Sequence, residues 1–310
     1  MPYTYREFPE LSWSTSRIKI LERCERGYYY HYYLSHNGWN FNSSEIQKEA
    51  FRLKKLSSKD ILCGSIVHRA VKYLIAKSQK GIEITQELVD KITDLAIKEF
   101  RRCCNMSEQY GSTWNKYTKE FDMLQEYFYE INISEEEKLY IESKINRCIK
   151  NGVQSNSFKY LLLNPIKILE LDSDEFTYFY VDNIKVYAKL DLLYINSMGK
   201  YIVVDWKTGK EDIDNELQLA VYAKYVSQKY NINSSDIICR IEYLDSNSFT
   251  EKVFSDEELD DVSVIVNLSM GKIMDYLDDI AVNKAKDITK FSRTRDTYKC
   301  KNCNFMKLCY

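Results

Sequence analysis

The 310-residue sequence has only three prolines and nine glycines, and it contains neither a low-complexity linker nor an internal repeat. Because these residues mark turns and flexible connections, their scarcity predicts a single domain over residues 1–310, with a helical insertion at about 79–160. No run approaches the 18 apolar residues that a membrane-spanning helix needs. The first residues also lack the basic and then apolar pattern of a signal peptide, so we expect a cytoplasmic protein with no membrane partner.

Other absences concern charge and nucleotide binding. The formal net charge of -2 does not by itself indicate a nucleic-acid-binding protein. The phosphate-binding loop Gly-x-x-x-x-Gly-Lys-Ser/Thr is missing, so any unwinding of DNA would need a helicase partner. Residues 284–310 are basic and can meet DNA phosphates, although a solvated surface explains them as well. The 26 tyrosines can stack on bases, but a general bias toward Tyr, Ile, Asn and Lys explains most of them equally well.

The spacing of apolar residues changes once along the chain. Helical spacing in the first 160 residues predicts helices near 17–34, 64–78, 85–102, 114–131 and 134–150. After this part, alternating patterns predict strands at 166–171, 176–181, 184–195 and 201–206. A helix at 214–229, strands at 237–243 and 249–254 and a long helix to about 284 follow. We therefore expect an α/β fold in which helices flank a sheet.

Two of the predicted strands carry neighbouring charged residues. Asp205 and Lys207 project from the same face of a strand, whereas Trp206 points to the other. A turn at 196–200 would pair this strand with the preceding one and place Asp191 beside Asp205. Two neighbouring carboxylates favour a cation between them, and oxygen ligands suit Mg²⁺ or Mn²⁺. Such an ion would acidify a water molecule that Lys207 can hold; the alternative is an edge strand that ends in charged residues.

Three further side chains fit the same site. His68 lies on a predicted helix whose apolar residues should pack on the sheet, and its imidazole would add a ligand that favours manganese. A hydrogen-bonded core histidine is the alternative. Gln218 and Tyr222 share a helical face after the Asp205 strand, where they can bind a DNA phosphate or orient Lys207, unless they belong to a partly exposed helix face. Glu170, at the end of the first strand, is a candidate outer carboxylate.

The nine cysteines fall into two groups. Five are scattered through predicted helices and strands and are expected to be buried apolar residues. Cys300, Cys303 and Cys309 lie within ten residues, and Cys24 is the nearest candidate for a fourth ligand. Four thiolates hold either zinc or an iron-sulfur cluster, and the spacing does not separate the two. Either metal group would join the N-terminal helix to the C-terminus as a structural staple.

In combination, these residues resemble the RecB-like nucleases of the PD-(D/E)XK superfamily. The nearest subset carries an iron-sulfur cluster and includes the B-subunit nuclease of AddAB helicase-nucleases, the CRISPR adaptation nucleases and the exonuclease V group. The matching segments are Ser-Trp-Ser-Thr-Ser-Arg-Ile with Cys24, Gly64 to His68, Asp191, Asp205 to Lys207, Gln218 with Tyr222, and the three terminal cysteines. Two positions depart from the pattern: Glu25 replaces the usual proline after the first cysteine, and Asp205 occupies a position that is more often Glu in other branches.

The resemblance implies a restriction-endonuclease-like core, with a central mixed sheet flanked by helices and a largely helical N-terminal half. The implied metal ligands for Mg²⁺ or Mn²⁺ are His68, Asp191, Asp205 and the backbone carbonyl of Trp206. The implied catalytic residues are Asp191, Asp205 and Lys207, with Gln218 and Tyr222 in support. The implied ligands of a [4Fe-4S] cluster, with zinc as the alternative, are Cys24, Cys300, Cys303 and Cys309.

The implied activity is hydrolysis of DNA phosphodiester bonds to leave 5′-phosphates. An exonuclease that prefers single-stranded DNA is expected, acting in recombination, repair, replication or defence. Two other interpretations stay open at this point. One is a non-catalytic DNA-binding or helicase-partner subunit that keeps the fold as a scaffold and is stabilised by an iron-sulfur or zinc site. The other is a zinc-ribbon interaction protein whose carboxylates are incidental.

Overall fold

The computed structural model describes residues 5–164, 167–172, 177–211 and 215–309. Three residues that begin predicted elements, Ile166, Phe176 and Asp214, lie outside these ranges. The helices of the N-terminal half are α1 (Thr15–Arg23), α2 (Glu25–Tyr29), α3 (Glu45–Leu53), α4 (Lys59–Ser78), α5 (Gln86–Tyr110), α6 (Gln125–Phe128), α7 (Glu135–Gln154) and α8 (Asn156–Leu163). In the described ranges, no helix combines the length and apolar character needed to cross a membrane.

The first predicted helix, at 17–34, is interrupted in the structure. Ser14 caps α1 by accepting a hydrogen bond from the backbone of Arg17, as its side chain and position suggest. Cys24 then takes an extended conformation, and its thiol accepts from the backbone N–H of Gly27 at the start of α2. A π-helical turn, Tyr30–Leu34, completes the segment. The interruption turns Cys24 into a junction between two helices rather than a position inside one.

The helix predicted at 114–131 was largely wrong, because only Gln125–Phe128 is helical there. Backbone bonds from Ser57 to Met123 and from Gln125 to Ser57 bind this segment to the loop before α4. Its aromatic residues are buried against α5 and α7 without forming a long helix. Tertiary contacts therefore override the local helical spacing in this part of the insertion.

The expected mixed α/β fold is confirmed. The strands of its main sheet are β1 (Ile168–Leu171), β4 (Leu192–Ile195), β5 (Tyr201–Lys207), β6 (Ile237–Tyr243) and β7 (Ser248–Lys252), in the order β1-β4-β5-β6-β7. The β5–β6 pair is parallel, and the other pairs are antiparallel. Helix α9 (Asn215–Tyr230) makes the crossover that a parallel pair requires.

Helices cover both faces of the sheet. Alternating residues of β5 divide between two cores: Val204 and Trp206 pack on the side of α4, α5 and α7, whereas Val203 packs on the side of α9 and α10 (Asp256–Met274). The long helix predicted to reach about 284 ends at Met274, and β8 (Leu277–Asp279) and β9 (Lys284–Ala285) follow it. Two short helices, α11 (Thr297–Lys301) and α12 (Met306–Cys309), close the chain.

The strand predicted at 184–195 is two strands. Its first part, β3 (Ile184–Tyr187), pairs with β2 (Tyr178–Val181) in a separate two-stranded hairpin. Asp182 and Asn183 form the turn with positive φ angles of 44° and 68°, the conformation of the tight turns that suit hairpins. Residues 188–191 carry the chain from this hairpin into β4 of the main sheet.

Candidate active site

The side chains of Asp205 and Lys207 lie at the carboxyl end of β5. This strand is central, because β4 and β6 pair with its two sides. An edge strand that ends in charged residues is therefore excluded as the explanation for this pair. Asp205 is only 4% exposed, and its Oδ2 lies 2.8 Å from Nζ of Lys207. Burial of a charged carboxylate in the middle of a sheet is unfavourable unless another group compensates its charge.

Asp191 lies directly before β4, beside Asp205 as predicted. The register pairs Leu192 with Val204, which puts Asp191 level with Asp205 across the ladder. Its Oδ2 accepts a hydrogen bond of 2.8 Å from the backbone N–H of Trp206. Asp191 precedes the regular strand. Its carboxylate can therefore accept from the backbone N–H of Trp206 in place of the carbonyl oxygen that a regular ladder would supply.

His68 reaches this group from α4. Its Nδ1 lies 3.2 Å from Oδ1 of Asp191, and its ring meets the indole of Trp206 edge to face, with ring centres 6.1 Å apart. Gly64, one turn earlier, brings α4 close to the end of β5, since a Cβ there would lie 3.3 Å from Oγ1 of Thr208. The histidine thus belongs to the carboxylate group and is not an isolated core residue.

Lys207 is held by a chain of hydrogen bonds from α9. Its Nζ donates to Oε1 of Gln218 at 3.0 Å, and Nε2 of Gln218 donates to the hydroxyl of Tyr222 at 2.6 Å. Burial raises the pKa of Tyr222, and the charges of Asp205 and Asp191 raise it further. The phenol therefore stays neutral, and a role of both α9 residues in orienting Lys207 stays a prediction.

The pKa of Asp205 reflects its burial and the neighbouring carboxylate more than the nearby positive charges. Burial raises its pKa to about 6, and the neighbouring charge of Asp191 adds to the rise, while Lys207 and His68 lower it. Nζ of Lys207, 2.8 Å from Oδ2, is the charged partner of this carboxylate. A buried carboxylate beside a second one is the environment that a divalent cation would complete.

The pKa of His68 moves in the opposite sense from that of an ordinary buried histidine. Burial lowers it, but the charge and hydrogen bond of Asp191 raise it by more, with a further contribution from Asp205. This response shows a negative potential at the imidazole. The side chains at the site therefore offer two carboxylates and one imidazole, a donor set that suits Mg²⁺ or Mn²⁺.

The arrangement is not a closed metal site. In the described part of the chain, no three His, Cys, Asp or Glu side chains converge as a complete set of metal ligands. Instead, His68 and Asp191 bind each other, and Asp205 lies against Lys207. Trp206 contributes its N–H to the group, while a role for its carbonyl stays a prediction.

Glu242 is a buried carboxylate that the sequence did not single out. It lies on β6 opposite Trp206, and its two oxygens accept from Nε1 of Trp206 at 3.0 Å and from the backbone of Ser157 at 2.8 Å. These bonds fix the indole against which His68 packs. An isolated Glu in an alternating strand gives no sequence signal, because its partner on β5 is 36 residues away.

The candidate carboxylate Glu170 binds elsewhere. Its Oε1 accepts hydrogen bonds from the hydroxyls of Tyr225 at 2.8 Å and Tyr230 at 3.1 Å, and it pairs with Nζ of Lys229 at 2.9 Å. These partners lie in the second half of α9, beyond the turn that carries Gln218 and Tyr222. Glu170 therefore joins β1 to α9 as a structural residue.

The four cysteines singled out by their spacing line one cavity of about 580 Å³. Cys24 enters it from the junction of α1 and α2, and Cys300, Cys303 and Cys309 enter it from α11, α12 and the turn between them. All four are reduced and partly buried. Burial raises the pKa of Cys303, and the nearby thiols of Cys309 and Cys24 raise it further.

Hydrogen bonds join the two ends of the chain around this cavity. The guanidinium of Arg23 donates to the carbonyl oxygens of Lys299 at 3.1 Å and Asn302 at 2.8 Å. The hydroxyl of Tyr30 donates to the carbonyl of Leu308 at 2.9 Å. The four thiols thus line one cavity, as the staple hypothesis requires, but among the described residues they do not form a group that could hold a metal ion.

A sequence model of the family described as the PD-(D/E)XK nuclease superfamily matches residues 12–310. The match covers nearly the whole chain and includes both the carboxylate group and the cysteine group. A search of curated proteins found no match to this sequence.

Proposed function

The chain belongs to the PD-(D/E)XK nuclease superfamily, and from this premise we propose that it is a DNA nuclease that uses Mg²⁺ or Mn²⁺ and leaves 5′-phosphates. The observation that carries the proposal is the group of charged side chains at the carboxyl end of β5, where buried Asp205 lies level with Asp191 and 2.8 Å from Nζ of Lys207. His68 adds an imidazole 3.2 Å from Asp191. Two neighbouring carboxylates with an imidazole and an ammonium suit a site that is completed by a divalent cation.

Each side chain has a distinct role in this proposal. His68, Asp191, Asp205 and the carbonyl of Trp206 would hold the ion, whose chemistry is to acidify a water molecule and to neutralise charge on the scissile phosphate. Lys207 would orient the attacking water and contact the phosphate, since its ammonium lies 2.8 Å from the Asp205 carboxylate. Gln218 would keep Nζ of Lys207 in this position through the hydrogen bond that it accepts.

We also propose that the chain is of the RecB-like type, with a [4Fe-4S] cluster held by Cys24, Cys300, Cys303 and Cys309. The shared cavity of the four thiols supports this, and their chemistry suits either iron-sulfur or zinc. The cluster would staple residues 1–310 into one domain, with the helices at about 79–160 as an insertion. Exonuclease action on single-stranded DNA in the cytoplasm, alone or with a helicase, is part of the same proposal.

The test is cleavage of end-labelled single- and double-stranded DNA by protein purified without oxygen. Magnesium, manganese and chelator are compared for the wild type and for Asp205→Ala and Lys207→Ala. We expect metal-dependent cleavage that both substitutions abolish, with 5′-phosphate ends and with polarity read from the labelled products. Glu216→Ala, an exposed carboxylate at the start of α9, serves as the matched control and should cleave normally.

The outcomes separate the candidate functions. Cleavage that survives in a clean preparation of Asp205→Ala would refute the site assignment. Absence of cleavage by folded, iron-loaded wild-type protein would favour a non-catalytic DNA-binding or helicase-partner subunit. One zinc ion per chain and no iron would replace the cluster by zinc and leave the nuclease proposal intact.

A further inference from the structure

The β2–β3 hairpin presents an aromatic outer face. Tyr178 and Tyr180 alternate along β2 and are 45% and 55% exposed, and the register places Tyr187 and Lys185 of β3 opposite them on the same face. The rings of Tyr178 and Tyr180 meet edge to face with centres 5.7 Å apart. Nζ of Lys185 lies 4.1 Å from the centre of the Tyr178 ring. The face is thus made of tyrosines with a cation beside them.

The inner face of the same hairpin explains why the outer one is fixed. Phe179, Val181 and Val186 are buried in the core that α9 and α10 share. Glu10 ties the edge down: it accepts from the hydroxyl of Tyr187 at 2.6 Å and pairs with Nζ of Lys185 at 3.1 Å. The tyrosines therefore stand on a rigid support, so that a partner can bind them at a small cost in conformational entropy.

Two lysines lie where the hairpin joins the active site. Lys189 follows the hairpin and pairs with Oδ1 of Asp172 at 3.0 Å. Lys72, one turn beyond His68 on α4, donates to the carbonyl of Asp172 at 2.5 Å, and its Nζ lies 3.6 Å from Oδ2. The two ammonium groups thus lie beside the same carboxylate. The backbone N–H of Asp172 in turn donates to the carbonyl of Asp191 at 2.8 Å.

We propose that an unpaired DNA strand binds along this surface and is led by it to the active site. Its bases would stack on Tyr178 and Tyr180, and its phosphates would pair with Lys72 and Lys189. The inference rests on the proposed function for the identity of the ligand. Tyrosine rings accept bases only when these are free of a duplex partner, so the surface selects single-stranded DNA.

The continuity of the surface with the active site supports this ligand over a protein partner. Tyr187, which lies beside Tyr178, is four residues before Asp191, a span of at most about 14 Å of extended chain. Along the chain, Lys189 lies between Tyr187 and Asp191 and offers an ammonium to DNA phosphates. Asp172 is a positioning residue in this proposal, because it acts through the two lysines.

The test is binding of a fluorescein-labelled oligothymidylate, measured by anisotropy in the presence of chelator so that no cleavage occurs. Tyr178→Ala and Tyr180→Ala should each weaken binding by about tenfold, the loss of one stacked base. Tyr180→Phe should keep most of the affinity, because a phenyl ring also stacks. Tyr140→Ala, which removes a tyrosine that is 60% exposed on α7, is the matched control and should bind as the wild type does.

A strand of abasic sugar-phosphate units separates stacking from other causes. It should bind the wild type and Tyr180→Ala equally weakly, because no base is present to stack. Lys189→Met should lower the slope of log affinity against log salt by about 0.7, the value for one phosphate contact on a single strand. Circular dichroism and thermal unfolding check that each variant folds.

Several results would overturn the proposal. Unchanged affinity of both tyrosine variants for oligothymidylate would refute it, as would an equal loss on the abasic strand. Tighter binding of duplex than of single-stranded DNA would also refute it. If the protein binds as expected but does not cleave DNA with any metal, the proposed nuclease activity is refuted and the proposed binding surface is retained.

Discussion

Replacement of Asp205 by Asn should make the protein more stable and inactive at the same time. The carboxylate is buried, and its pKa is raised from 3.8 to about 6. Below pH 4 it is protonated in both the folded and the unfolded state and makes no difference. Between pH 4 and 6 the unfolded chain loses the proton first, so an unfavourable contribution grows and is complete above pH 6. A rise of about two pKa units corresponds to about 3 kcal/mol.

The Asn side chain removes this charge at nearly constant size. At neutral pH, with chelator present, we expect Asp205→Asn to unfold about 6 °C higher than the wild type, at about 2 °C per kcal/mol for a chain of this length. Below pH 4 the two should unfold at similar temperatures. Thermal unfolding followed by circular dichroism at several pH values measures both points, and the cleavage assay should show no activity.

Glu242→Gln provides the matched control. Glu242 is equally buried but has both oxygens hydrogen-bonded, so loss of its charge should lower the free energy of unfolding by about 1–3 kcal/mol. Opposite signs for the two substitutions would identify Asp205 as a carboxylate kept for function. If Asp205→Asn is destabilised at neutral pH as Glu242→Gln is, the pair with Lys207 is structural and the reasoning fails.

Three further predictions concern metals and positioning. Mn²⁺ affinity, measured by calorimetry, should fall about tenfold per pH unit below pH 6, because Asp205 must first lose its proton; constant affinity down to pH 5 would contradict this. Gln218→Ala should lower kcat about 10–100-fold and leave the unfolding temperature unchanged, since only the hydrogen bond that holds Lys207 is lost; a normal kcat would remove its positioning role. Cys303→Ser should lose bound iron and stability, whereas Cys239→Ser, at a buried cysteine outside the cavity, should keep its iron; equal iron in both variants would refute the cluster assignment.

Much of this site could be predicted because its signals are local. Alternation along β5 puts Asp205 and Lys207 on the same face of the strand. The four-residue spacing of Gln218 and Tyr222 puts them on the same face of α9. Only a short turn separates β4 from β5, so the pairing that brings Asp191 level with Asp205 also follows from the sequence. Contacts of this kind depend on spacing along the chain, which the sequence displays directly.

Other features depend on contacts between distant parts of the chain. Segment 114–131 has helical spacing, yet its backbone bonds to Ser57 replace most of the helix. The buried acceptor Glu242 finds its partner on a strand from which α9 separates it. Lys72 donates a hydrogen bond to the carbonyl of Asp172, which is 100 residues away in the sequence, and no local pattern predicts this contact. The sequence therefore predicts the reacting groups better than the residues that position them.

The break in the strand at 188–191 connects the hairpin surface that is proposed to bind DNA with the carboxylates that are proposed to cleave it. A continuous strand over 184–195 would have paired Asp191 in a regular ladder and laid the hairpin tyrosines on the main sheet. Because the strand divides, Asp191 is free to accept from the backbone of Trp206, and the hairpin turns its outer face outward. The same four residues place Lys189 between the tyrosines and the carboxylates. Lys189→Pro would keep the chain extended but remove this cation. It should therefore weaken DNA binding while the hairpin and the main sheet still fold.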